Sequence, residues 1–260
     1  MRFWQVDPVR QPADQNRSHL TEDAADAVRD VCVRLDRAAG ASGSLVGDLK
    51  EILATAPPRR LRLVHVGCGT GELTAEIARR LSGWPRAPSG DGLRDRASLE
   101  LLGIDGDLRA IVRANATYGD RLGGCVEFAV RDIRTEGCPS CDLAVGSLVL
   151  QRLDASEAEA VLRSMAGAAR LGGVVSELIR SRIGLAIALA ATWPPAGAGR
   201  RVAATLAAVR TARSLDEYRR LADRSGLPHA TVRRTWTQRG ILTWKTAEPL
   251  DELIPGIACA

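Results

Sequence analysis

Three glycines at alternating positions carry the clearest chemical signal in this sequence. Gly67, Gly69 and Gly71 stand between an apolar segment and a helical pattern. Because glycine has no Cβ, the backbone of such a turn can approach a ligand closely, and the first N–H groups of the following helix point at that ligand. A dinucleotide fingerprint would require a further glycine at position 72, where Glu72 would instead face a pyrophosphate. The turn therefore favours a cationic nucleoside without phosphate groups.

Acidic residues end two later apolar segments. Asp105 closes the segment 101–105, and Asp132 follows the segment 126–131. A carboxylate at the end of the second strand can accept hydrogen bonds from both hydroxyls of a ribose. The interval between the glycines and Asp105 exceeds the usual ~20 residues, because a polar segment rich in proline and glycine lies at 84–98. We interpret that segment as a loop insertion.

The glycine turn and the acids after it resemble the first motifs of class I methyltransferases that depend on S-adenosylmethionine (SAM). The resemblance implies that SAM, and its product S-adenosylhomocysteine (SAH), bind across the carboxyl ends of successive strands. It places Asp132 opposite the adenine amino group and the Ile133 backbone N–H near the adenine ring. The strand predicted at 142–149 would form the floor of the reaction site. The cofactor-binding residues implied in this way are His65, Gly67, Cys68, Gly69, Thr70, Gly71, Asp105, Gly106, Asp132, Ile133 and Ser147.

A narrower resemblance covers the segment from 142 to 184. Two adjacent glycines, Gly172 and Gly173, lead into a strand that carries Glu177, and the pattern Leu-x-Arg-Ser follows. This arrangement is similar to small-molecule methyltransferases of polyketide and quinone pathways. It implies an enzyme that transfers a methyl group from SAM to a phenolic or enolic oxygen of a natural product. The choice between O- and C-methylation stays open.

Two departures from the family pattern bear on the chemistry. His65 stands where an acid usually helps to hold the SAM ammonium group, and a neutral imidazole can only accept a hydrogen bond there. Gln151 and Arg152 stand where two histidines are often found, so the obvious general base is missing. Arg152 could lower the pKa of a phenolic acceptor by favouring the phenolate, and Gln151 could orient its hydroxyl. These two residues are therefore the candidate catalytic residues.

Two other functions stay open beside methyl transfer to a small molecule. The missing histidines are compatible with a methyltransferase-fold protein that has a non-methylating role in biosynthesis, as a SAM-binding protein or a pseudo-enzyme. A nucleic-acid methyltransferase is less favoured, because residues 146–149 lack the Asn/Asp-Pro-Pro-Tyr/Phe motif of enzymes that methylate amino groups. The net charge of +5 comes from scattered arginines, and aromatic residues make up only 3% of the chain, so few rings could stack on bases. We expect a small-molecule substrate and no nucleic-acid partner.

Composition and cysteine spacing bear on location and metal binding. No apolar run reaches the ~18 residues of a membrane span, because Pro194 and Pro195 interrupt the longest one. The first residues lack the apolar core of a signal peptide, and six cysteines in 260 residues fit a reducing cytoplasm. Cys138 and Cys141 have C-x-x-C spacing without a second pair, so we predict no metal site. The protein is expected to be a cytoplasmic monomer or homodimer.

Alternating strand and helix patterns predict an α/β protein. We expect a Rossmann-like class I methyltransferase fold, with a mostly parallel seven-stranded sheet and an antiparallel C-terminal hairpin. The predicted parts are an N-terminal helical cap (1–58), a SAM-binding core (59–182), a helical lid or substrate insertion (183–212), and a C-terminal helix and hairpin (213–260). The predicted strands cover 61–66, 99–105, 126–131, 142–149, 173–179, 231–236 and 240–246. Two amphipathic helices are predicted within 21–55, and further helices at 72–82, 107–117, 155–170 and from a capping box at 214–217 to about 225.

Overall fold

The structure is a computed structural model of the chain, and it describes residues 41–56, 60–82, 99–119, 121–122, 124–181, 212–235 and 239–246. The first of the two predicted N-terminal helices, the loop insertion at 84–98 and residues 183–211 of the predicted lid lie outside these ranges. No helix within the ranges combines the length and the apolar composition that crossing a bilayer requires.

Helices and strands alternate along the described chain. The helices are α1 (Ala41–Leu53), α2 (Glu72–Leu81), α3 (Leu108–Tyr118), α4 (Ile133–Glu136), α5 (Ala155–Ala168) and α6 (Leu215–Arg224). The strands are β1 (Leu61–Val66), β2 (Leu99–Asp105), β3 (Val126–Val130), β4 (Cys141–Ser147), β5 (Ala169–Leu178), β6 (Thr231–Arg234) and β7 (Arg239–Lys245). A short 3₁₀ helix, Leu150–Arg152, follows β4.

One sheet contains these seven strands in the order β3-β2-β1-β4-β5-β7-β6. The strands β1 to β5 pair in parallel, and β7 pairs antiparallel with both β5 and β6. This arrangement confirms the predicted fold class. In an open sheet of this kind, ligands bind at the carboxyl ends of the strands, beside the strand where the order reverses. Here that strand is β1, which lies between β2 and β4. The boundaries of the four predicted parts stay predictions.

Helices cover both faces of the sheet. On one face α1, α2 and α3 pack over Leu63, and on the other α5 and α6 pack over Val64. Neighbouring residues of β1 thus point to opposite cores, as expected for a parallel strand buried on both sides. The apolar face of α1, with Leu45, Leu49 and Ile52, is buried in the core on the face that α1, α2 and α3 cover. This burial confirms the helical spacing predicted there.

The strand predicted at 142–149 is shorter than expected. It ends at Ser147, because Leu148 adopts a left-handed backbone conformation with φ 59°. A strand cannot continue through that conformation. The apolar residues after Ser147, which prompted the longer prediction, form a turn and the start of the 3₁₀ helix instead.

The strand β5 is longer than expected. It begins at Ala169, inside the helix predicted at 155–170, because residues from this point onward pair with β4. Gly172 and Gly173 therefore lie inside the strand. A Cβ at Gly172 would clash with the Trp244 backbone oxygen on β7, and a Cβ at Gly173 would clash with the Ala144 backbone oxygen on β4. The two glycines let β5 fit closely between its neighbours.

A buried carboxylate attaches α1 to the C-terminal hairpin. Asp48 accepts a hydrogen bond from Thr243 Oγ1 on β7 (2.8 Å) and forms an ion pair with Arg233 on β6 (Nη2 to Oδ1, 2.6 Å). Because this carboxylate is almost completely buried, its removal leaves two donors without their acceptor, which costs more than the loss of an exposed ion pair.

Asp48→Ala is expected to lower the free energy of unfolding by about 1 to 3 kcal/mol. Asp216→Ala is the control, because it removes the exposed partner of Arg219 on α6 and should cost much less. Urea unfolding at neutral pH measures both variants. Equal losses in the two variants would contradict the assignment of Asp48 as the link between helix and hairpin.

Candidate functional site

The glycine turn joins β1 to α2 at the carboxyl edge of the sheet. Gly67, Gly69 and Gly71 have φ values of 68°, 55° and 87°, which glycine adopts without steric cost. Two of these glycines also pack closely against other side chains of the protein. A Cβ at Gly67 would lie 3.2 Å from the side chain of Val149, and one at Gly71 would lie 2.9 Å from the ring of Phe128. Internal packing therefore requires glycine here, in addition to any ligand.

Asp105, at the end of β2, is bound to the glycine turn. Its Oδ2 accepts the Gly69 N–H (2.9 Å), and its Oδ1 accepts the Asp107 N–H (2.9 Å). The Cys68 N–H donates to the backbone oxygen of Ile104 (3.0 Å) and holds the two strand ends together. A carboxylate has about four lone-pair positions, so two of them remain for other donors. The acid can therefore still receive both hydroxyls of a ribose.

Asp132 follows β3, next to the end of β2. A Cβ at Gly106 would lie 3.8 Å from the Asp132 Cα, and Ile133 begins α4 directly afterwards. Arg134 binds the carboxylate through Nε to Oδ1 (3.0 Å), Nη2 to Oδ2 (2.8 Å) and its backbone N–H to Oδ1 (3.0 Å). These interactions with Arg134 hold the pKa of Asp132 below its usual value. About one lone-pair position is left for an amino group.

The chain turns sharply where β4 ends, and we name residues 148–152 the β4 exit turn. Ser147, just before it, accepts a hydrogen bond at Oγ from Arg239 Nη2 on β7 (3.1 Å). Leu148 has the left-handed conformation noted above, and its N–H donates to the Ser176 backbone oxygen on β5 (3.0 Å). The exit turn is therefore tied to the end of β5.

Both candidate catalytic residues belong to the β4 exit turn. The Oε1 atom of Gln151 is buried and has no hydrogen-bond partner in the described part of the chain. The side chain of Arg152 lies outside that part. Val149 of the same turn packs against Gly67, so the exit turn adjoins the glycine turn. The roles of Gln151 and Arg152 stay predictions.

Glu177 on β5 is a site residue that the motif pattern did not assign a role. It is 1% exposed, and its Oε1 accepts the N–H groups of Val149 and Leu150 (2.8 Å each). Burial raises the pKa of Glu177 to about 7, against the opposing effects of these N–H groups and of Arg239. One signal for it was present in the sequence: a charged residue inside the apolar run 174–179. A charge in such a strand indicates a bound partner.

The cysteine pair lies away from this edge. Cys141 begins β4 at the amino end of the strand, and a hydrogen bond with Cys138, together with burial, raises the pKa of its thiol. Within the described ranges, no three His, Cys, Asp or Glu side chains lie close enough together to hold a metal ion.

Comparison with known proteins identifies the central segment. Residues 64–175 match the sequence model of a family described as a methyltransferase domain. The solved structure of the plantazolicin methyltransferase BpumL, with a monoazolic desmethylPZN analog and SAH, has a TM-score of 0.61 and 12% identity, and the match covers 86% of this chain and 89% of that one. Magnesium protoporphyrin IX methyltransferase from Synechocystis PCC 6803, with bound SAH, has a TM-score of 0.56 and 16% identity, covering 86% and 94%. No curated protein sequence matches this chain.

A third similar structure is human N-acetylserotonin methyltransferase in complex with SAM. It has a TM-score of 0.57 and 12% identity, and the match covers 85% of this chain but only 56% of the human one. Identities this low establish a shared fold alone. The sequence match adds that residues 64–175 are similar to a methyltransferase domain. The predicted resemblance and the prediction of a methyltransferase enzyme are thereby confirmed.

In the segment that matches the methyltransferase domain, His65 of β1 contacts α2. Its Nδ1 lies 2.7 Å from Thr74 Oγ1, and its Nε2 is buried without a hydrogen-bond partner among the described residues. Burial lowers the pKa of His65 to about 4, so the imidazole is neutral at pH 7. The domain therefore has no acid at the position where the family pattern places one. The cofactor-binding role of His65 stays a prediction.

His65→Asn is expected to flatten the dependence of stability on acid pH. The folded-state pKa of His65 is depressed, so its stabilising contribution is present above pH 6.5 and is lost as the pH falls towards 4. Between neutral pH and that value, the wild-type protein should lose up to about 3 kcal/mol more of its unfolding free energy than the variant. Urea unfolding across this range measures the difference. Parallel curves for the two proteins would mean that burial does not depress the imidazole pKa.

Proposed function

We propose that the chain is a SAM-dependent methyltransferase for a small-molecule acceptor, and that it methylates a phenolic or enolic oxygen of a polyketide-like or quinone-like natural product. The observation that carries the proposal is the hydrogen bond from the Gly69 N–H to Asp105. It joins a glycine turn to an acid at the next strand end, and the acid keeps two lone-pair positions for the ribose hydroxyls.

The described residues fit SAM better than a dinucleotide. Glu72 begins α2 directly after the third glycine, and Thr70 Oγ1 donates a hydrogen bond to it (2.6 Å). A carboxylate at this helix N-terminus repels a pyrophosphate but tolerates a sulfonium cation. Asp105 would hold the ribose, and Asp132 the adenine. When bound, SAM supplies an electrophilic methyl group.

A small-molecule acceptor is supported by the similar structures. The similar structures are named for methylation of plantazolicin, magnesium protoporphyrin IX and N-acetylserotonin. These molecules differ so much that they support a class of acceptor and not one compound. The choice of a phenolic or enolic oxygen rests on the motif in which Gly172 and Gly173 precede Glu177. A cytoplasmic location, the oligomeric state and the lack of a nucleic-acid partner stay predictions.

In this proposal the chain aligns the acceptor and controls its proton. The acceptor oxygen, the methyl carbon and the sulfur must lie in line, and water must be excluded. The histidines in the described ranges are the buried His65 and the exposed His229, which lies before β6, so neither is a candidate base at the exit turn. Arg152 would favour the phenolate, and Gln151 would orient the hydroxyl.

A non-methylating role in biosynthesis is the second candidate. The neutral, buried His65 and the presence of Gln151 where the family often has histidine favour it. A protein of that kind would bind SAM or SAH and leave every acceptor unchanged. Transfer of a labelled methyl group from SAM to a panel of phenols, enols and carboxylates separates the two functions.

Asp105→Ala is expected to weaken SAH binding by about 1.5 to 3 kcal/mol, because a charged acceptor of the ribose hydroxyls is lost. Asp107→Ala is a matched control. Asp107 also accepts two backbone N–H groups, those of Arg109 and Ala110, but as the cap of α3 it has no assigned role in binding. Titration calorimetry with SAH, and with NAD as a comparison ligand, measures the affinities.

Unchanged affinity in a folded Asp105→Ala variant would overturn the ribose assignment. Equal losses in both variants would show that binding responds only to the local fold around α3. Binding of NAD to the wild-type chain in preference to SAH would overturn the choice of cofactor itself.

Arg152→Gln is expected to slow the methylation of phenols and to shift the pH–rate profile upward. A cation beside the acceptor oxygen lowers the phenol pKa, so its loss delays ionisation. SAH affinity should stay the same, because the residue is assigned to the acceptor. Arg79→Gln, which removes an exposed cation on α2, is the control. Rates with several phenols, measured between about pH 6 and 10, test this expectation, and wild-type rates throughout would remove Arg152 from the mechanism.

A further inference from the structure

Charged side chains hold the backbone of the β4 exit turn from two sides. Glu177 accepts the N–H groups of Val149 and Leu150 (2.8 Å each). Arg213, which precedes α6, donates from Nη1 to the Leu150 backbone oxygen (2.6 Å) and from Nη2 to the Leu153 backbone oxygen (2.9 Å). An anion thus binds the donors at the start of the turn, and a cation binds the carbonyl groups that follow. The peptide groups on either side of the 3₁₀ helix are fixed by side chains distant in sequence.

The start of the turn requires this support, because its first residue is strained. Leu148 has φ 59°, a conformation that costs a non-glycine residue about 1 kcal/mol or more. Such a residue persists only where its surroundings determine its conformation. The Leu148 N–H donates to Ser176, and the next two N–H groups donate to Glu177. The end of β5 therefore holds three successive N–H groups of the chain.

The charged and titratable groups around Glu177 come from β7 and α6. Arg239 on β7 is 3% exposed and favours the ionised carboxylate. Tyr218 on α6 is buried, and burial together with the charge of Glu177 raises its pKa, while Arg213 and Arg239 oppose that rise. The exit turn contributes backbone N–H groups, including that of Gln151. Burial outweighs these interactions, so the pKa of Glu177 is near 7 and its charge changes close to neutral pH.

Ionised Glu177 lowers the overall stability of the fold. Its folded-state pKa is raised, so its contribution to stability is complete below the ordinary pKa of 4.5 and is lost as the pH rises through 7. A glutamine would avoid this loss. The carboxylate has a different advantage, because an ionised oxygen binds two N–H groups more strongly than a neutral amide oxygen does. Ionised Glu177 therefore strengthens the hydrogen bonds of the exit turn while it lowers the free energy of unfolding of the whole protein.

We propose that Glu177 is a positioning residue for the methyl acceptor, and that its ionised carboxylate holds the β4 exit turn in the conformation that places Gln151 and Arg152 at the acceptor side of the site. The assignment of this turn to the acceptor rests on the proposed function. The hydrogen bonds belong to the chain itself and can be measured without an acceptor. Protonation of Glu177 weakens them, so the acceptor side of the site loosens as the pH falls below neutral.

Amide hydrogen exchange of the exit turn in Glu177→Gln tests the proposal. The variant keeps the size of the side chain and one acceptor oxygen but removes the charge. At a pH above 7, the amides of Val149 and Leu150 should exchange about tenfold faster in the variant. Each exchange rate is divided by that of an unfolded peptide at the same pH, which gives a protection factor. As the pH is lowered through neutrality, the protection factors of Val149 and Leu150 in the wild type should fall to those of the variant. Ser176→Ala is the matched control, because it changes the preceding buried side chain of β5, whose Oγ has no hydrogen-bond partner in the described ranges.

Thermal unfolding of the same proteins separates positioning from a purely structural role. As the pH is raised from acid to alkaline, the melting temperature of Glu177→Gln should increase relative to that of the wild type. Over the same range, the exit-turn amides of the variant should become less protected than those of the wild type. A structural residue would lose turn protection and global stability together at every pH. That outcome would overturn the proposal, as would equal protection of Val149 and Leu150 in the variant and the wild type or wild-type protection that does not depend on pH.

The same samples also report whether the wild-type chain binds SAH, because a bound ligand raises the melting temperature. If SAH does not bind, the proposed function fails, whatever the exchange shows. If SAH binds and the exit turn is unaffected by Glu177→Gln, only the positioning role fails. The two failures are thus distinguishable.

Discussion

Parallel pairing of β1 with β2 on one side and with β4 on the other is the constraint on which the site depends. The register places Val66 beside both Ile104 and Gly146, so three strands end together and three chain reversals share one edge. The space between these reversals is small, and a side chain at Gly67 would press on Val149. Glycine is therefore required before any ligand is considered. In open sheets of this order, ligands bind at this edge.

Burial gives the ionisable groups along this edge different chemistry. Asp132 is paired with an exposed arginine, Arg134, and its pKa is lowered. Glu177 is surrounded by the protein interior, and its pKa is raised to about 7 despite the nearby Arg239. His65 is buried as well, and burial keeps it neutral. The Asp132 carboxylate thus stays ionised at neutral pH, whereas the exit turn is bound by a carboxylate whose charge depends on pH.

The alternation of strands with helices, and the residue type at each strand end, were predictable from the sequence because their signals are local. An apolar run that ends in glycine or an acid specifies both a strand and the group at its end, as at Gly69 and Asp105. The ends of β4 and β5 were predicted wrongly, because the conformation of Leu148 and the start of β5 depend on neighbouring strands. Glu177 and Arg213 could not be assigned roles for a similar reason. The backbone groups that they bind lie 28 and 63 residues away along the chain, and no spacing pattern connects them.

The glycine turn and the exit turn differ in backbone strain and in buried charge. The glycine turn reaches its positive φ values without strain, because glycine occupies each position. The exit turn has a strained leucine, Leu148, and it is bound by the buried, ionisable Glu177 of β5; both residues reduce stability. Local and tertiary preferences agree in the capping boxes that begin α5 and α6. Among the described residues, Leu148 is the one non-glycine residue with a positive φ, and such strain is typical of a functional position. The glycine turn is therefore held by the preferences of its own residues, whereas the exit turn depends on side chains that are distant in sequence.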